Sequence, residues 1–323
     1  MSSSLADFAA MLPRSKVAVT SLHTTNSRRH QVCWQMLRLD QLDGELSGNK
    51  LFKLLPHLLA ARRHGAASVL SFGGMHSNHL HALAAAGRRF GFATIGVVRG
   101  YAAQAVTPTL ADLRAMGMHI HFADREEYAC RYQADYCRQL AQQYGAWVIG
   151  EGGAGQPGRD GAAWIADVID NSMAVRPDII TVAAGTGTTF AGLLQAMPRQ
   201  AVWAFAMAGN VRELQALAGS VVGSVAGNDR WQVFDDGGRF GRISPALAGF
   251  MYEFEQQQGV LLDPVYTARM CQAVDGRIGR GEIAPGSHVL SLHTGGLQGR
   301  RALQDKIRRL AAAYQHEVMY ECA

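Results

Sequence analysis

The strongest constraint on the fold of this chain is the repeated alternation of short apolar runs with amphipathic helical patterns. A first series has strand-like runs at residues 68–72, 94–98, 119–122 and 147–149. A second series has strand-like runs at residues 179–182, 202–207 and 288–292. Such alternation predicts parallel sheets that helices cover on both faces. The two series therefore predict an α/β fold with two three-layer αβα domains and parallel-rich sheets.

The predicted helices lie between and after these runs. They cover residues 77–90, 107–116, 128–144, 159–171, 188–197, 245–258, 264–279 and 296–314. Most glycine clusters fall where a predicted strand ends and a helix begins, and open α/β sheets bind ligands at such points. The pattern therefore predicts one ligand site between the two domains.

Composition and charge narrow the classes of function. The 323 residues are 48% hydrophobic and 18% charged, which is the balance of an ordinary globular protein. The net charge of +5 comes from scattered or paired arginines, with no basic stripe interleaved with aromatic residues, so we expect no nucleic-acid binding. The uncharged segment 179–197 contains three glycines and four threonines. It predicts a buried strand, a loop and a helix, and we expect no membrane span.

The cysteines favour a cytoplasmic protein. Their number is odd, no C-x-x-C motif occurs, and the spacing is wide, which together argue for reduced thiols. We expect Cys130 and Cys137, seven positions apart on a predicted helix, to be two buried small hydrophobic residues rather than a redox pair.

The segment Ser47-Gly48-Asn49-Lys50 places a lysine after a small-residue turn and before an apolar run. Loss of water at the mouth of a helix and the positive charge of Lys53 would both lower the pKa of Lys50 and make its amine a nucleophile. An amine nucleophile is what a carbonyl cofactor such as pyridoxal phosphate requires. The alternative is a surface lysine in the first turn of a helix.

A second strand-to-helix turn has the sequence Gly185-Thr186-Gly187-Thr188-Thr189. Backbone N–H groups, the helix dipole and the threonine hydroxyls would form a cradle for a phosphate. The segment lacks the lysine of a Walker loop and the spacing of a dinucleotide fingerprint. The alternative is a tight turn that needs small residues.

A third turn, His76-Ser77-Asn78-His79-Leu80-His81, follows Gly73-Gly74. Three histidines suggest a metal site, but no carboxylate or cysteine lies nearby, and His79 and His81 would point about 200° apart on a helix. Ser77 would lie at a helix N-terminus near imidazoles, where it is either part of the chemistry or a helix cap. Both roles are compatible.

Five segments occur in the same order in the 1-aminocyclopropane-1-carboxylate deaminase/D-cysteine desulfhydrase family, and the chain resembles that family from about residue 40 to residue 299. The segments are Ser47-Gly48-Asn49-Lys50-x-x-Lys53, Ser77-Asn78-His79, the Gly185–Thr189 turn, Leu262-Asp263-Pro264-Val265-Tyr266-Thr267 and His293-Thr294-Gly295-Gly296. The family consists of pyridoxal phosphate enzymes with the tryptophan synthase β-like fold, also called fold type II.

The resemblance implies roles for individual residues. Lys50 would form the Schiff base with pyridoxal 5′-phosphate, Lys53 would contact the phosphate, and Asn78 would hold the ring hydroxyl. Ser77 would contact the substrate carboxylate or move protons, and Tyr266 would approach the reacting carbon. The remaining implied phosphate-binding residues are Gly185, Thr186, Gly187, Thr188 and Thr189.

The resemblance also implies the domain organisation and the assembly. A smaller α/β domain at residues 51–155 would be inserted into a larger cofactor-binding domain formed by residues 1–50 and 156–323. The protein would be a homodimer.

Two positions separate the branches of the family. The deaminase branch has Glu after the tyrosine of Pro-Val-Tyr and Leu between His and Gly-Gly, whereas this chain has Thr267 and Thr294. A carboxylate opposite the pyridine nitrogen makes the ring a strong electron sink, and a neutral hydroxyl does not. Both threonines resemble the D-cysteine desulfhydrase branch, and the resemblance places them at the cofactor ring.

The chain departs from the family pattern at four positions. Phe240 stands at the place of a second tyrosine, Phe52 at that of an arginine, and Leu80 and His81 at those of a threonine and an arginine. These replacements predict a less polar or differently shaped pocket.

The sequence thus predicts a lyase that depends on pyridoxal phosphate and acts on a small amino acid, with D-cysteine as a candidate substrate. Elimination would give a 2-oxo acid and ammonia, with Lys50 as the base and Tyr266 and Ser77 assisting. The alternatives are another elimination enzyme of the same fold, such as a serine or threonine dehydratase, and a cofactor-binding or amino-acid-sensing module with little turnover.

Overall fold

The computed structural model describes residues 4–46, 48–103, 106–223, 230–235, 238 and 240–321. Ser47 and Cys322 lie outside these ranges. The strands are β1 (Val19–Leu22), β2 (Cys33–Leu37), β3 (Ser68–Gly74), β4 (Ala93–Arg99), β5 (His119–Ala123), β6 (Ala146–Val148), β7 (Ile179–Ala184), β8 (Ala201–Ala206), β9 (Trp231–Asp235) and β10 (His288–Leu292).

The α-helices alternate with these strands along most of the chain. They are α1 (Leu5–Met11), α2 (Thr25–Arg29), α3 (Asn49–Arg63), α4 (Asn78–Phe90), α5 (Pro108–Ala115), α6 (Arg125–Ala129), α7 (Ala134–Tyr144), α8 (Gln156–Ser172), α9 (Thr188–Ala196), α10 (Val211–Val222), α11 (Pro245–Gln258), α12 (Thr267–Gly279), α13 (Leu297–Arg300) and α14 (Gln304–Glu321). Short 3₁₀ turns join several of them.

The strands form two sheets. The large sheet has the strand order β1-β2-β10-β7-β8-β9, and its described pairings are parallel except for the antiparallel pair β1–β2. The small sheet has the order β5-β4-β3-β6 and is parallel at each of its three pairings. The alternation of the sequence therefore produces parallel-rich sheets, as predicted.

Both faces of the large sheet are covered, because alternate side chains of each strand enter different cores. Ile180 and Val182 of β7 lie in one core with residues of α3, α8 and α9. Trp203 and Phe205 of β8 lie in a second core with residues of α11 and α12. Strand side chains alternate between faces with a period of two, so this division gives three layers.

The small sheet is layered in the same way. Leu70 and Phe72 face a core that contains Tyr128 of α6 and Leu140 of α7. Val69, on the opposite face, joins the core that also contains α3, α8 and α9. One hydrophobic core is therefore shared between the two sheets and supports the region between them.

The limits of the inserted domain stay a prediction. All four strands of the small sheet lie within residues 51–155. Helix α3, which spans the proposed boundary, packs closely on α8: a Cβ atom added to Gly161 would lie 2.0 Å from the carbonyl oxygen of Phe52.

Three predicted helices differ from those observed. The helix predicted at 128–144 is interrupted, because Gln133 between a 3₁₀ turn and α7 is extended. The helix predicted at 264–279 begins only at Thr267, and the one predicted at 296–314 is divided into α13, a 3₁₀ turn and α14. Cys130 and Cys137 are half-buried rather than buried, and the four described cysteines are free thiols.

No helix in the described part of the chain has both the length and the apolar character needed to cross a lipid bilayer.

Candidate active site

The predicted site residues lie where strands of both sheets end. The ends of β3, β6, β7 and β10 lead into the turns that contain Asn78, Gly153, Gly185 and Thr294. Parallel strands end at the same edge of a sheet, so the two sheets present these turns to a common cleft. The contacts described below connect them to the start of α3.

Gly48 allows α3 to begin against the end of β10. Its φ angle is +75°, a conformation that favours glycine, and an added Cβ atom would lie 2.1 Å from the carbonyl oxygen of Thr294. The backbone N–H of Asn49 donates to the same carbonyl at 3.3 Å. Lys50 is therefore fixed next to the end of a central strand.

Asn49 connects Lys50 to the Gly185–Thr189 turn. Its side-chain N–H group donates to Oγ1 of Thr189 at 2.8 Å, and its carbonyl oxygen accepts from Nζ of Lys50 at 2.7 Å. The structure thus brings together two segments that the sequence analysis singled out separately.

The environment of Lys50 lowers the pKa of its amine to about 8, because burial disfavours the ammonium form more than the charge of Asp263 favours it. Lys53 lies deeper, and burial together with the charge of Lys50 lowers its pKa well below the usual value. The predicted direction for Lys50 is therefore found, but its cause is burial and not Lys53.

The turn between β7 and α9 leaves backbone N–H groups free. Gly187 precedes α9 with a φ angle of +77°, and no side chain caps the helix. An added Cβ atom at Gly187 would lie 2.6 Å from Cδ2 of Leu214 and of Leu217, so this turn is packed closely on α10. The hydroxyls of Thr186 and Thr188 lie 3.0 Å apart at the same turn. An uncapped helix N-terminus with nearby hydroxyls can bind an anion.

Gly152 and Gly153, after β6, connect this turn to Lys53. An added Cβ atom at Gly152 would lie 3.1 Å from Cγ2 of Thr186, and one at Gly153 would lie 2.9 Å from Cβ of Lys53. Lys53 is 4% exposed, and no described residue accepts a hydrogen bond from its amine or pairs with it ionically. The amine is therefore available to a ligand in the cleft, and an anion would provide the partner that it lacks.

Asp263 is a site residue that the sequence analysis quoted but did not assign a role. It is 2% exposed, and its Oδ1 atom accepts from the backbone N–H groups of Val265 at 3.1 Å and Tyr266 at 2.6 Å. Burial raises its pKa to about 7, although these N–H groups and the charge of Lys50 act in the opposite direction. The only sequence signal was an Asp-Pro pair, which is also typical of a helix start.

A buried ion pair holds the backbone next to Asp263. Both carboxylate oxygens of Glu255 pair with Arg300, and Arg300 donates to the carbonyl oxygen of Leu262 at 2.9 Å. Glu255 also accepts from the backbone N–H of Leu262 at 3.3 Å. The backbone N–H and the backbone carbonyl of Leu262 are therefore both hydrogen-bonded, which fixes the position of Asp263.

Tyr266 lies beside Lys50. Nζ of Lys50 is 6.0 Å from the centroid of the Tyr266 ring, and an added Cβ atom at Gly185 would lie 3.5 Å from its Cε1 atom. Burial and the charges of Asp263 and Glu151 raise the pKa of the hydroxyl. Tyr266 therefore stays protonated at neutral pH, so it can donate a proton but does not act as an anionic base.

Phe240 packs edge-on against Tyr266, with ring centroids 6.0 Å apart, and is 57% exposed. The residue at the place of the second family tyrosine thus lies next to the first. By contrast, Phe52 and Leu80 are completely buried in the shared core. Neither side chain therefore lines an open cleft, and the expectation that they change its shape stays a prediction.

Thr267 and Thr294 are both buried. The Thr267 hydroxyl accepts from the backbone N–H of Asp263 at 2.7 Å and donates to its carbonyl oxygen at 3.2 Å. The hydroxyl proton of Thr267 is thus already donated to a backbone carbonyl in the turn that contains Asp263. The backbone carbonyl oxygen of Thr294 accepts a hydrogen bond from the N–H of Asn49, the first residue of α3.

Ser77 and Asn78 begin α4. The Ser77 hydroxyl accepts from the backbone N–H of Leu80 at 3.2 Å and thereby caps the helix, and its proton remains available. Nδ2 of Asn78 and Oδ2 of Asp263 lie 2.6 and 2.9 Å from the position of an added Cβ atom at Gly296. The amide of Asn78 and the Asp263 carboxylate therefore face the same glycine.

The histidines of the third turn bind different partners and do not converge on one point. His79 contacts Oγ of Ser71 through Nε2 at 2.8 Å, and His81 contacts Oδ2 of Asp112 at 3.1 Å. In the described residues, no group of three or more His, Cys, Asp or Glu side chains is arranged to hold a metal ion.

Comparison with known proteins gives consistent results. A family described as "Pyridoxal-phosphate dependent enzyme" matches residues 26–295. A putative 1-aminocyclopropane-1-carboxylate deaminase from Pyrococcus horikoshii is 28% identical over 288 residues, which are 85% of this chain and 88% of the relative. The mitochondrial bifunctional D-cysteine desulfhydrase/1-aminocyclopropane-1-carboxylate deaminase of Arabidopsis thaliana is 26% identical over 302 residues, which are 85% of this chain and 75% of the relative.

A solved structure supports the same assignment. The crystal structure of a homologue of 1-aminocyclopropane-1-carboxylate deaminase matches with a TM-score of 0.79 at 27% identity, covering 93% of this chain and 95% of the other. These findings confirm the family resemblance, the fold class and pyridoxal phosphate as the cofactor. The matched region extends from α2 to the end of β10 and includes Lys50, the Gly185–Thr189 turn and Tyr266. The chain therefore belongs to the family of pyridoxal-phosphate dependent enzymes.

Proposed function

We propose that this protein is a pyridoxal-phosphate-dependent lyase that eliminates the β-substituent of a small amino acid, with D-cysteine as the first candidate substrate. With D-cysteine the carbon–sulfur bond breaks, and water supplies the oxygen of the 2-oxo acid, so that the products are pyruvate, ammonia and hydrogen sulfide. The observation that carries the proposal is the half-buried Lys50 amine, whose pKa is lowered to about 8 and which lies beside Tyr266.

The residues of the cleft fit pyridoxal phosphate. The unpaired Lys53 amine and the uncapped start of α9, with the hydroxyls of Thr186 and Thr188, would hold the phosphate. Gly185 and Gly187 shape this turn, and Thr189 connects it to Asn49. Asn78 would donate to the ring hydroxyl, and Lys50 would bind the aldehyde carbon covalently. The bound cofactor supplies a conjugated ring that takes up the electrons released at the substrate Cα.

The protein's own groups would then move the protons. A Lys50 amine with a pKa of about 8 is partly neutral near neutral pH and would accept the Cα proton of the substrate. The Tyr266 hydroxyl, which stays protonated, would donate to the leaving group. The free proton of the Ser77 hydroxyl would bind the substrate carboxylate, and the Leu80 N–H would hold the hydroxyl in place.

The choice of D-cysteine rests on two positions. Thr267 and Thr294 stand where the deaminase branch of the family has Glu and Leu, and we propose that both lie near the cofactor ring. A neutral environment at the ring nitrogen suits the loss of a good leaving group better than the opening of a cyclopropane ring.

The covalent step is tested by mass spectrometry. The chain has four lysines, Lys16, Lys50, Lys53 and Lys306. After addition of the cofactor and reduction with borohydride, we expect the cofactor mass on the peptide that contains Lys50. Lys50→Ala should abolish both this mass and the visible absorption band, whereas Lys306→Ala, at an exposed position, should keep them. A modified Lys50→Ala protein would contradict the assignment.

The substrate is tested by measuring 2-oxo acid and sulfide released from D-cysteine, with L-cysteine, D- and L-serine, threonine and 1-aminocyclopropane-1-carboxylate in parallel. Release from D-cysteine above the other substrates would support the proposal. Preference for serine or threonine would indicate a dehydratase. Cofactor binding without release from any amino acid would instead indicate a binding module.

We also propose a homodimer in the cytoplasm. The homodimer follows from the family resemblance, and the free thiols of the four described cysteines support a reducing compartment. Light scattering of the purified protein would test the assembly. A molecular mass near 34.9 kDa would contradict a dimer.

A further inference from the structure

A row of three polar side chains leads from α5 into the cleft. Thr109, in the first turn of α5, donates through Oγ1 to Oε1 of Gln298 at 3.0 Å. Nε2 of Gln298, in α13, donates to Oδ1 of Asn78 at the start of α4. Thr109 is 1% exposed, and Gln298 is half-buried. The row therefore joins three helices at the residue that we propose as the contact of the cofactor hydroxyl.

The direction of this row decides which end of the Asn78 amide faces the cleft. With its oxygen bound by Gln298, Asn78 turns Nδ2 towards Gly296 and Oδ2 of Asp263. In the reversed row, Gln298 would accept from Asn78, whose oxygen would then face a carboxylate oxygen. The observed direction turns a donor, rather than a second acceptor, towards Gly296 and the Asp263 carboxylate, so it is the favoured one.

The backbone of Gln298 is also held in place. Nε of Arg301 donates to the carbonyl oxygen of Gln298 at 3.0 Å, and the same guanidinium pairs with Asp112 of α5. Asp112 in turn contacts Nε2 of His81 on α4 at 3.1 Å. Gln298 is thus braced against the same two helices that carry Thr109 and Asn78.

We propose that Gln298, oriented by Thr109, is a positioning residue that fixes the Asn78 amide with its N–H group towards the cofactor. This inference rests on the proposed contact between Asn78 and the ring hydroxyl. A donor at that place stabilises an ionised ring oxygen, whereas the amide oxygen would repel it. Gln298 acts only through Asn78 and needs no contact with substrate or cofactor.

The central test is Gln298→Glu in the complete protein loaded with pyridoxal 5′-phosphate. An ionised Glu side chain only accepts hydrogen bonds, so Asn78 must turn its N–H group away from the cleft. We expect the dissociation constant of the cofactor, measured by fluorescence quenching, to rise about tenfold. We also expect the visible absorption band of the bound cofactor to move to shorter wavelength. Gln298→Met, which allows both orientations, should give a smaller change of the same kind.

Three further variants separate a change in the orientation of Asn78 from a general loss of structure. Thr109→Val should shift the visible absorption band of the cofactor to shorter wavelength, as Gln298→Glu does. Thr109→Ser keeps the hydroxyl, so its band should stay at the wavelength of the unmodified protein. Gln272→Glu adds the same charge on α12, where Gln272 donates to the carbonyl oxygen of Ala246, and should leave the band and the affinity unchanged.

Asn78→Ala distinguishes failure of this inference from failure of the proposed function. If Asn78→Ala changes neither affinity nor band, the proposed cofactor contact is wrong, and the inference fails with it. If Asn78→Ala changes both but Gln298→Glu does not, only the inference fails. A loss of thermal stability in Gln298→Glu with an unmoved band would likewise overturn it.

Discussion

Two strand-to-helix turns of the cleft differ in how they satisfy the first turn of the helix. At the α4 turn, residues 73–78, the Ser77 hydroxyl accepts the N–H of Leu80, so the chain caps its own helix. At the α9 turn, residues 185–188, Gly187 offers no side chain, and the first N–H groups of α9 stay available. Both turns follow a parallel strand and carry glycine, and the capping residue alone separates them.

The difference supports our proposal for which end of the cofactor each turn binds. Free N–H groups and the positive end of a helix dipole suit the phosphate, and Gly152 and Gly153 connect Lys53 to the α9 turn. A capped helix offers side chains instead, so the α4 turn presents the hydroxyl of Ser77 and the amide of Asn78. A capping residue is therefore a local signal that distinguishes a turn that offers backbone N–H groups from one that offers side-chain groups.

The largest expected effect is that of Gly187→Ala, which tests whether the α9 turn depends on glycine. We expect the free energy of unfolding, measured with urea on the cofactor-free protein, to fall by about 2–4 kcal/mol. The cause is the φ angle of +77° combined with the contacts to Leu214 and Leu217. Gly91→Ala is the matched control, because Gly91 has a φ angle of +72° in open space. It should lose only about 1 kcal/mol, and equal losses would show that the turn is not held against α10.

The second prediction concerns the charge at the α9 turn. Lys53→Met should raise the dissociation constant of pyridoxal 5′-phosphate about 10- to 100-fold, because a charge-assisted hydrogen bond to the phosphate is lost. The weak binding of pyridoxal, which has no phosphate, should change little. An unchanged affinity for the phosphorylated cofactor would place its anionic end elsewhere and remove the contrast between the turns.

The same lysine predicts a pH dependence of stability in the cofactor-free protein. Burial and the charge of Lys50 lower the pKa of Lys53 well below 10.5, so the unfolded chain binds a proton there that the folded protein does not. Stability should therefore rise with pH up to about 10.5, by up to about 1.4 kcal/mol per pH unit relative to Lys53→Met. Urea unfolding of both proteins between neutral pH and pH 10 measures the difference. Parallel curves would mean that Lys53 stays charged inside the protein.

The smallest effect is expected at the capped turn. Ser77→Ala should lower the free energy of unfolding by about 1 kcal/mol through loss of the helix cap. It should also reduce turnover, because the hydroxyl would bind the substrate carboxylate. Ser244→Ala removes a similar cap, from α11, where the Ser244 hydroxyl accepts from Leu247 at 3.1 Å. It should cost similar stability and leave turnover unchanged, and equal turnover in both variants would reduce Ser77 to a structural cap.

The sequence was sufficient to predict an element where residues at its two ends mark where it begins and where it ends. Helix α11 occupies the predicted residues 245–258, since Ser244 and Pro245 mark its start and Gly259, in the left-handed conformation, marks its end. Strand β10 also occupies the predicted residues 288–292. Strand β10 is buried within the large sheet, and α11 buries one face against it, so in both elements the hydrophobic pattern agrees with the burial.

Side-chain contacts that the hydrophobic pattern does not show accompany the elements that the sequence did not predict correctly. The helix predicted at 128–144 contains neither proline nor glycine, yet it breaks after Tyr132. Tyr128, Arg131 and Tyr132 all bind the carboxylate of Glu151, which lies 19 to 23 positions further along the chain, so the helical pattern of residues 128–144 gives no sign of these contacts. Similarly, the Asp263 carboxylate binds the N–H groups of Val265 and Tyr266 and delays the start of α12.

In the candidate site, too, some features can be predicted from the sequence and others depend on contacts that it does not show. The Lys50 segment and the Gly185–Thr189 turn are visible in the sequence, because each is a short motif with its own chemistry. The partners that set their properties are far along the chain: Asp263 acts on the charge of Lys50, and Gln298 lies 220 positions from Asn78. Spacing along the sequence contains no information about such contacts.

Phe240 has a consequence for how this enzyme can diversify. The residue packs on the ring of Tyr266 but is more than half exposed, so a replacement there disturbs little of the interior. Exposed substitutions of this kind usually change stability by no more than about 0.5 kcal/mol. Evolution or directed mutagenesis can therefore exchange the group that borders the Tyr266 phenol in single steps, while the buried framework around Lys50 stays intact.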